Sequence, residues 1–317
     1  MILVTGGTGF VGKALIRHLA EEGRPVRILI RPSPRSPDLP RGLPVEVAVS
    51  GLMDERGLRA AMVGVDTVYH LASSERRGAQ ANLMDSDIQG TRSVVRAAQD
   101  ANVKRIFFVS HLGADRASAF PVLKVKAIAE EAIRRSGLDY TILRSAIIFG
   151  PGDRLTTGLA RILAVSPQFF LVPGSGNSPL NQFRQLLQPL WVEDLVTCLT
   201  WALEDPETRN RTIEIGGPEY LNIDQIAEQV MGAMGIHRQL FHVSPLFLRW
   251  FTIFLEWAFP RLPVDVFWLD YLAVSRTCAL DTAPRVFNLM PSRLSQRLAY
   301  LTTQNWRVSL MRTLLQR

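Results

Sequence analysis

The sequence has 317 residues, of which 47% are hydrophobic and 21% charged, enough to bury the core of one large α/β domain or two smaller ones. No run reaches the ~20 uncharged apolar residues of a spanning helix, a strand beginning at residue 2 leaves no room for a signal peptide, and two cysteines give no disulfide framework, so we expect a cytoplasmic protein. The net charge of +7 reflects either a preference for Arg or attraction to an anionic surface, and without a basic run interleaved with aromatic residues it does not indicate nucleic acid.

A glycine-rich loop opens the chain. Residues 2–12 read Ile-Leu-Val-Thr-Gly-Gly-Thr-Gly-Phe-Val-Gly, and a helical pattern follows at once. Gly6 allows a tight turn, Gly9 allows the backbone to approach a pyrophosphate, and Gly12 lets the helix pack close to the strand. The N-terminus of that helix presents unpaired N–H groups to the phosphates. This order of strand, turn and helix predicts a dinucleotide-binding site.

Strand-like and helix-like segments alternate through the first half of the chain. The strands are expected at 26–30, 45–49, 67–71, 105–110 and 140–149, and the helices at about 54–63, 85–101 and 122–136. This alternation predicts an α/β fold of the Rossmann type, with a doubly wound parallel sheet and helices on both faces. We expect this dinucleotide-binding domain to span residues 1–155, with its sheet completed by parts of 186–216.

The pattern changes in residues 156–317, where we expect a smaller, mostly helical region that covers the cofactor. Helical segments are predicted at 190–203 and 223–234, and an apolar helical tail at 245–273. In the tail, Arg249, Thr252 and Glu256 form one narrow polar stripe on an otherwise apolar helix. Two interpretations stay open: a lid over the substrate pocket, or an interfacial helix that rests on a membrane or in a partner's groove, which the basic net charge favours.

Several motifs occur in the order typical of one enzyme superfamily. They are the glycine loop, His70-Leu71-Ala72, Gly90-Thr91, the helix containing Lys126, Leu143-Arg144, Phe149 to Asp153, and Gln188 to Asp194. The chain therefore resembles the atypical and extended short-chain dehydrogenases/reductases, including epimerase/dehydratase-like and NmrA-like proteins. Within them it looks most like the dehydrogenase-like accessory subunit of respiratory complex I and its bacterial relatives.

The resemblance implies a nicotinamide dinucleotide and assigns its contacts. They fall on Gly6, Thr8, Gly9, Phe10, Val11, Gly12, Arg31, Arg35, Leu52, Leu71, Ala72, Ser73 and Lys126. NAD-specific members carry an acidic residue at the end of the second strand, where this chain has Arg31. A guanidinium suits a 2′-phosphate, and Arg35 could assist it, so NADP(H) is favoured over NAD(H), although a solvated Arg31 is the alternative.

The resemblance also implies a catalytic Tyr, a Lys four residues later and a Ser. Lys126 and Ser110 match the last two, but Val122 stands at the Tyr position, and Tyr-x-x-x-Lys occurs nowhere in the sequence. His111 replaces a second hydroxyl residue and could act as an acid or base, or could simply bond a loop carbonyl. The sequence shows no carboxylate paired with His111, and no Cys/His cluster with metal-ligand spacing, so we expect no metal.

Two functions fit these features. The first is an NADP(H)-binding, dehydrogenase-like protein without the catalytic Tyr, which serves as a structural, assembly or redox-sensing component near a membrane redox complex. It would be cytoplasmic, either free or as a peripheral protein on the inner face of the membrane. The alternative is an active NAD(P)H-dependent reductase or epimerase that acts on a hydrophobic or quinone-like substrate.

Overall fold

A seven-stranded parallel sheet forms the centre of the computed structural model, which describes residues 1–34, 39–40, 42–75, 78, 81–174, 185–258 and 266–315. The strands are β1 (Ile2–Thr5), β2 (Val26–Ile30), β3 (Val45–Val49), β4 (Thr67–His70), β5 (Arg105–His111), β6 (Asp139–Ser145), β7 (Ile148–Phe149), β8 (Phe169–Pro173), β9 (Leu190–Trp191), β10 (Arg211–Ile215) and β11 (Gln239–Val243). Their order in the main sheet is β10-β6-β5-β4-β1-β2-β3, while β7 pairs with β9 and β8 with β11.

Helices cover both faces of this sheet. They are α1 (Phe10–Glu21), α2 (Glu55–Ala61), α3 (Gly90–Asp100), α4 (Pro121–Arg134), α5 (Thr156–Val165), α6 (Val192–Glu204), α7 (Ile223–Met234), α8 (Pro245–Ala258), α9 (Val266–Leu272), α10 (Thr282–Phe287) and α11 (Trp306–Leu315). The strand β1 is buried at every residue because it is covered on both sides. Val4 packs towards α1 and α6, while Leu3 packs towards α2 and α3.

The strand order creates the crevice in which ligands of such sheets bind. The chain runs from β1 to β2 and β3 on one side and then returns to place β4 on the other side of β1. The loops that follow β1 and β4 therefore diverge. A crevice opens between these loops at the carboxyl ends of the two strands. The predicted Rossmann-type α/β fold is confirmed by this topology.

Some predicted boundaries were wrong. The strand expected at 140–149 breaks after Ser145, because β7 leaves the sheet to pair with β9 while the Ala146 N–H donates to the Ile215 carbonyl oxygen (2.8 Å). The helix expected at 85–101 is a wide turn over Met84–Gln89 followed by α3. By contrast, β10 lies within the range 186–216 that was expected to complete the sheet, and it pairs with β6.

A separate apolar cluster holds the second half together. This cluster joins α5, α7 and α11 through the buried side chains of Leu159, Val230 and Trp306, and it also contains Leu298. The division of the chain at residue 155 stays a prediction. None of the helices in the described ranges is long and apolar enough to cross a membrane.

Candidate nucleotide and substrate site

A cavity of about 460 Å³ lies at the carboxyl ends of the central strands. Most residues predicted to contact the cofactor line this cavity. They are Gly6, Thr8, Gly9, Phe10, Val11, Gly12, Arg31, Leu52, Leu71, Ala72 and Ser73. His111 also lines it. Ser110 and Lys126 are buried and do not belong to the cavity wall. Arg35 lies outside the described residues.

Two glycines of the loop are required because other backbone lies too close for a side chain. Gly6 has φ +73°, and a Cβ there would lie 2.6 Å from the backbone of Ala72. At Gly12 a Cβ would lie 2.3 Å from the Gly6 carbonyl oxygen, since α1 crosses so close to the loop. No side chain caps α1 at Gly9, so the first N–H groups of the helix are left to a ligand. The residues present therefore fit a dinucleotide.

A buried histidine fixes the neighbouring strand ends. The Thr91 hydroxyl donates to the Asp87 carbonyl oxygen (2.5 Å), so it accepts from His70 Nε2 (2.9 Å), and Thr5 Oγ1 then donates to Nδ1 (2.7 Å). Every polar atom of the ring is satisfied when it is neutral. Burial, assisted by the positive charge of Lys126, lowers the pKa of His70 to about 3.

Acid should therefore destabilise the protein through His70. Below about pH 6.5 the unfolded chain binds a proton at this residue and the folded chain does not, so the free energy of unfolding should fall by roughly 1 kcal/mol per pH unit. Urea unfolding between about pH 7 and pH 5 measures this slope, and His70→Gln should reduce it. Parallel curves for the two proteins would contradict the assignment. The window of Glu75, which begins near its ordinary pKa of 4.5, lies below this range.

The helix α4 carries valine where a proton donor is expected. Val122 lines the cavity, and Lys126 lies one turn further along the same helix. The Lys126 ammonium is buried over the Phe108 ring, 5.2 Å from its centroid. Ser110 is also fully buried, because successive residues of β5 face opposite sides of the sheet and His111 takes the cavity side. Of the three catalytic candidates that the sequence offered, Lys126, Ser110 and His111, His111 is therefore the one that lines the cavity.

One expectation about His111 was wrong, because a carboxylate does pair with it. Glu75 Oε2 lies 2.9 Å from His111 Nε2, and both side chains are largely buried. Burial alone would raise the pKa of Glu75, but the positive charges of His111 and Lys126 hold it well below its usual range. Glu75 stands 36 residues before His111 and directly precedes two arginines, which reads as an exposed charged turn.

The second half of the chain adds two residues that the sequence did not indicate. The Tyr271 ring meets the His111 ring edge to face, with 5.7 Å between centroids. The Arg276 guanidinium stacks on Tyr271, 3.9 Å from the ring centroid. Burial raises the pKa of Tyr271 to about 12. No spacing motif links these residues to α4 or to the glycine loop, so only the fold brings them together.

The helix α8 buries Thr252 of its polar stripe and exposes most of its apolar face. Thr252 is buried, and Arg249 forms an ion pair with Asp270 of α9. Trp250 and Trp257 are 72% and 80% exposed, and Leu246, Phe247 and Phe254 are also exposed. No residue of α8 lines the cavity, whereas α9 does. The lid interpretation therefore fits α9, and α8 presents an apolar surface.

The part of the chain that matches a known family contains most of the residues that line this cavity. Residues 6–160 match the NAD(P)H-binding family. The ceramide reductase of Caulobacter vibrioides (strain NA1000 / CB15N) is 33% identical over 167 residues, which are 53% of this chain and 52% of that protein. The mitochondrial NADH dehydrogenase (ubiquinone) 1 alpha subcomplex subunit 9 of Arabidopsis thaliana is 28% identical over 235 residues, which are 71% of this chain and 56% of that protein. The chain thus spans about half the length of these relatives.

Solved structures support the fold. UDP-glucose 4-epimerase from Thermotoga maritima aligns over 98% of this chain and 99% of that one, with a TM-score of 0.72 and 20% identity. At this identity the likeness concerns the fold alone. Among the residues that the structure describes, no group of three or more His, Cys, Asp or Glu could hold a metal ion.

Proposed function

We propose that this chain is a member of the atypical and extended short-chain dehydrogenase/reductase superfamily and holds NADP(H) as a structural, assembly or redox-sensing component beside a membrane redox complex. The glycine loop would hold the pyrophosphate, and Lys126 would lie behind the nicotinamide end. One observation carries the proposal: Val122 occupies the cavity wall one turn before Lys126. Valine has no exchangeable proton, so a bound nucleotide would be retained without the usual acid.

The choice of NADP(H) is supported by Arg31, which follows β2 and lines the cavity. Arg31→Ala should weaken NADPH binding by about tenfold, because a charge-assisted contact to the 2′-phosphate is lost, and should leave NADH binding unchanged. Calorimetric titration of both nucleotides measures this difference. Arg17→Ala is the matched control, since Arg17 pairs with Glu193 away from the cavity. Equal affinities for the two nucleotides in the parent protein would refute the role of Arg31.

The membrane part of the proposal is supported by α8. Its exposed tryptophans, its apolar outer face and the net charge of +7 suit the inner, anionic face of a membrane. The plant relative is named as a subunit of a mitochondrial NADH dehydrogenase (ubiquinone).

Replacing both Trp250 and Trp257 by Ser should reduce binding to anionic phospholipid vesicles by about tenfold, because each exposed aromatic ring would otherwise bury apolar area in the lipid. Vesicle flotation measures the bound fraction. A double variant of Val63 and Met290 to Ser removes two equally exposed apolar side chains elsewhere and should float like the parent. Failure of the parent protein to float would leave a protein groove as the partner of α8.

A second function is favoured by the Glu75–His111 pair. A bound NADPH supplies hydride, and a histidine paired with a carboxylate can hold the proton that a reduced carbonyl needs. The chain would then be an NAD(P)H-dependent reductase or epimerase. Steady loss of NADPH absorbance with a panel of quinones and carbonyls, abolished in His111→Ala, would establish this second function over the first.

A further inference from the structure

Three buried polar atoms lie on one side of the cavity without a hydrogen-bond partner among the described residues. They are His111 Nδ1, Tyr271 Oη and Arg276 Nε, and all three side chains line the cavity. They come from the end of β5, from α9 and from the segment that follows α9. Buried polar groups are usually paired, and an unpaired one costs about 1–3 kcal/mol. Three in one corner indicate a site that a ligand completes.

The charges of this corner favour an anion. Glu75 is engaged by His111, and Asp270 is engaged by Arg249. Arg276 is 5% exposed, and one of its Nη atoms donates to the Asp270 carbonyl oxygen (3.2 Å). Within the described part of the chain, no carboxylate oxygen lies within 4.0 Å of the Arg276 guanidinium. A buried guanidinium without an ion-pair partner is costly unless a bound anion neutralises it.

The rest of this wall is apolar. Phe120, Val122, Leu123, Ile147 and Leu155 line the cavity together with the Tyr271 ring. The segment that carries Arg276 is held in place, because its N–H donates to the Leu186 carbonyl oxygen (2.9 Å) and the Cys278 N–H donates to Gln188 Oε1 (2.8 Å). Charge at one point and apolar surface around it suit an amphipathic organic acid.

We infer that this corner binds the carboxylate of a small organic acid with an apolar body, with Arg276 and Tyr271 donating hydrogen bonds to its oxygens. The His111 ring contacts Tyr271 in the same corner. The inference rests on the proposed function only in that the acid shares the cavity with the nucleotide. For a reductase or epimerase, Tyr271 and Arg276 would bind the substrate. For a structural or sensing component, they would bind the acid that the protein senses.

The test uses 2-naphthoate as the acid and 2-naphthamide as its uncharged counterpart, titrated into the full-length protein by calorimetry. We expect 2-naphthoate to bind about tenfold more tightly than 2-naphthamide. Tyr271→Phe should weaken 2-naphthoate binding by about tenfold, because the ligand loses one hydrogen-bond donor. Arg276→Met should abolish the preference for the acid. Tyr220→Phe, which removes a hydroxyl bonded to the Cys278 carbonyl oxygen outside the cavity, should leave binding unchanged.

Equal binding of the acid and the amide would overturn the inference, as would an unchanged affinity in Tyr271→Phe or the absence of 2-naphthoate binding. NADPH is titrated separately into the same proteins. If 2-naphthoate binds as expected and NADPH does not, the acid site stands and the proposed nucleotide function fails. If NADPH binds and 2-naphthoate does not, the reverse holds.

Discussion

Replacing Gly12 with Ala is expected to lower both stability and nucleotide affinity. The new Cβ would lie 2.3 Å from the Gly6 carbonyl oxygen and 2.8 Å from Gly7 Cα, so the backbone of the loop must move. Forcing this close-packed crossing apart should cost about 3 kcal/mol of unfolding free energy. The displaced N–H groups should also reduce NADPH affinity by about a hundredfold. Urea unfolding and calorimetric titration measure the two effects.

The matched control is Gly51→Ala. Gly51 follows Ser50, which lines the same cavity, but a Cβ at Gly51 would meet no atom within 4 Å. This variant should stay within about 0.5 kcal/mol of the parent and should bind NADPH normally. If Gly12→Ala behaves like Gly51→Ala, the close approach of α1 to the loop is not what the site requires.

Replacing Glu130 with Ala is expected to destabilise the protein by about 3 kcal/mol. The Glu130 carboxylate is fully buried in α4 and accepts from Arg144 Nη2 (2.8 Å) and Arg134 Nη1 (3.0 Å). The hydrogen bond to Glu130 raises the pKa of Arg144, so the two groups stabilise each other's charge. Removing the carboxylate leaves Arg144 half-buried without this partner. Thermal and urea unfolding measure the loss.

Glu131→Ala provides the comparison on the same helix. Glu131 pairs with Arg134 and Arg135 near the surface, where such pairs contribute about 0–1 kcal/mol. It should therefore change stability little. Similar losses in both variants would contradict the buried role of Glu130 and point to helix propensity alone.

The fold could be predicted from the sequence because its signals are local. The glycines at 6, 9 and 12 follow an apolar strand directly, and the strands 26–30 and 45–49 were placed at their observed bounds. The break after Ser145 could not be predicted, because the apolar run 140–149 continues through it. Only the pairing of β7 with β9, more than 40 residues away, separates the two strands.

The candidate site divides in the same way. The cofactor loop and Val122 follow from short motifs, whereas Glu75, Tyr271 and Arg276 reach the cavity through distant parts of the fold. Glu75 precedes two arginines in the sequence, and its burial beside His111 depends on the loop after β4. The polar stripe of α8 follows from the sequence, but the ion pair between Arg249 and Asp270 does not, because it depends on the packing of α8 against α9.

The most direct test of the central proposal is the nucleotide content and turnover of the purified protein. Mass spectrometry of the released ligand should find NADP(H), and NADPH absorbance should stay constant for hours when quinones and carbonyls are added. Val122→Tyr restores an acid one turn before Lys126. This variant therefore tests whether the absent Tyr explains the absence of NADPH oxidation. A protein that releases no nucleotide and does not bind added NADPH would contradict the account. Steady NADPH oxidation by the unmodified protein would replace the structural role with the reductase.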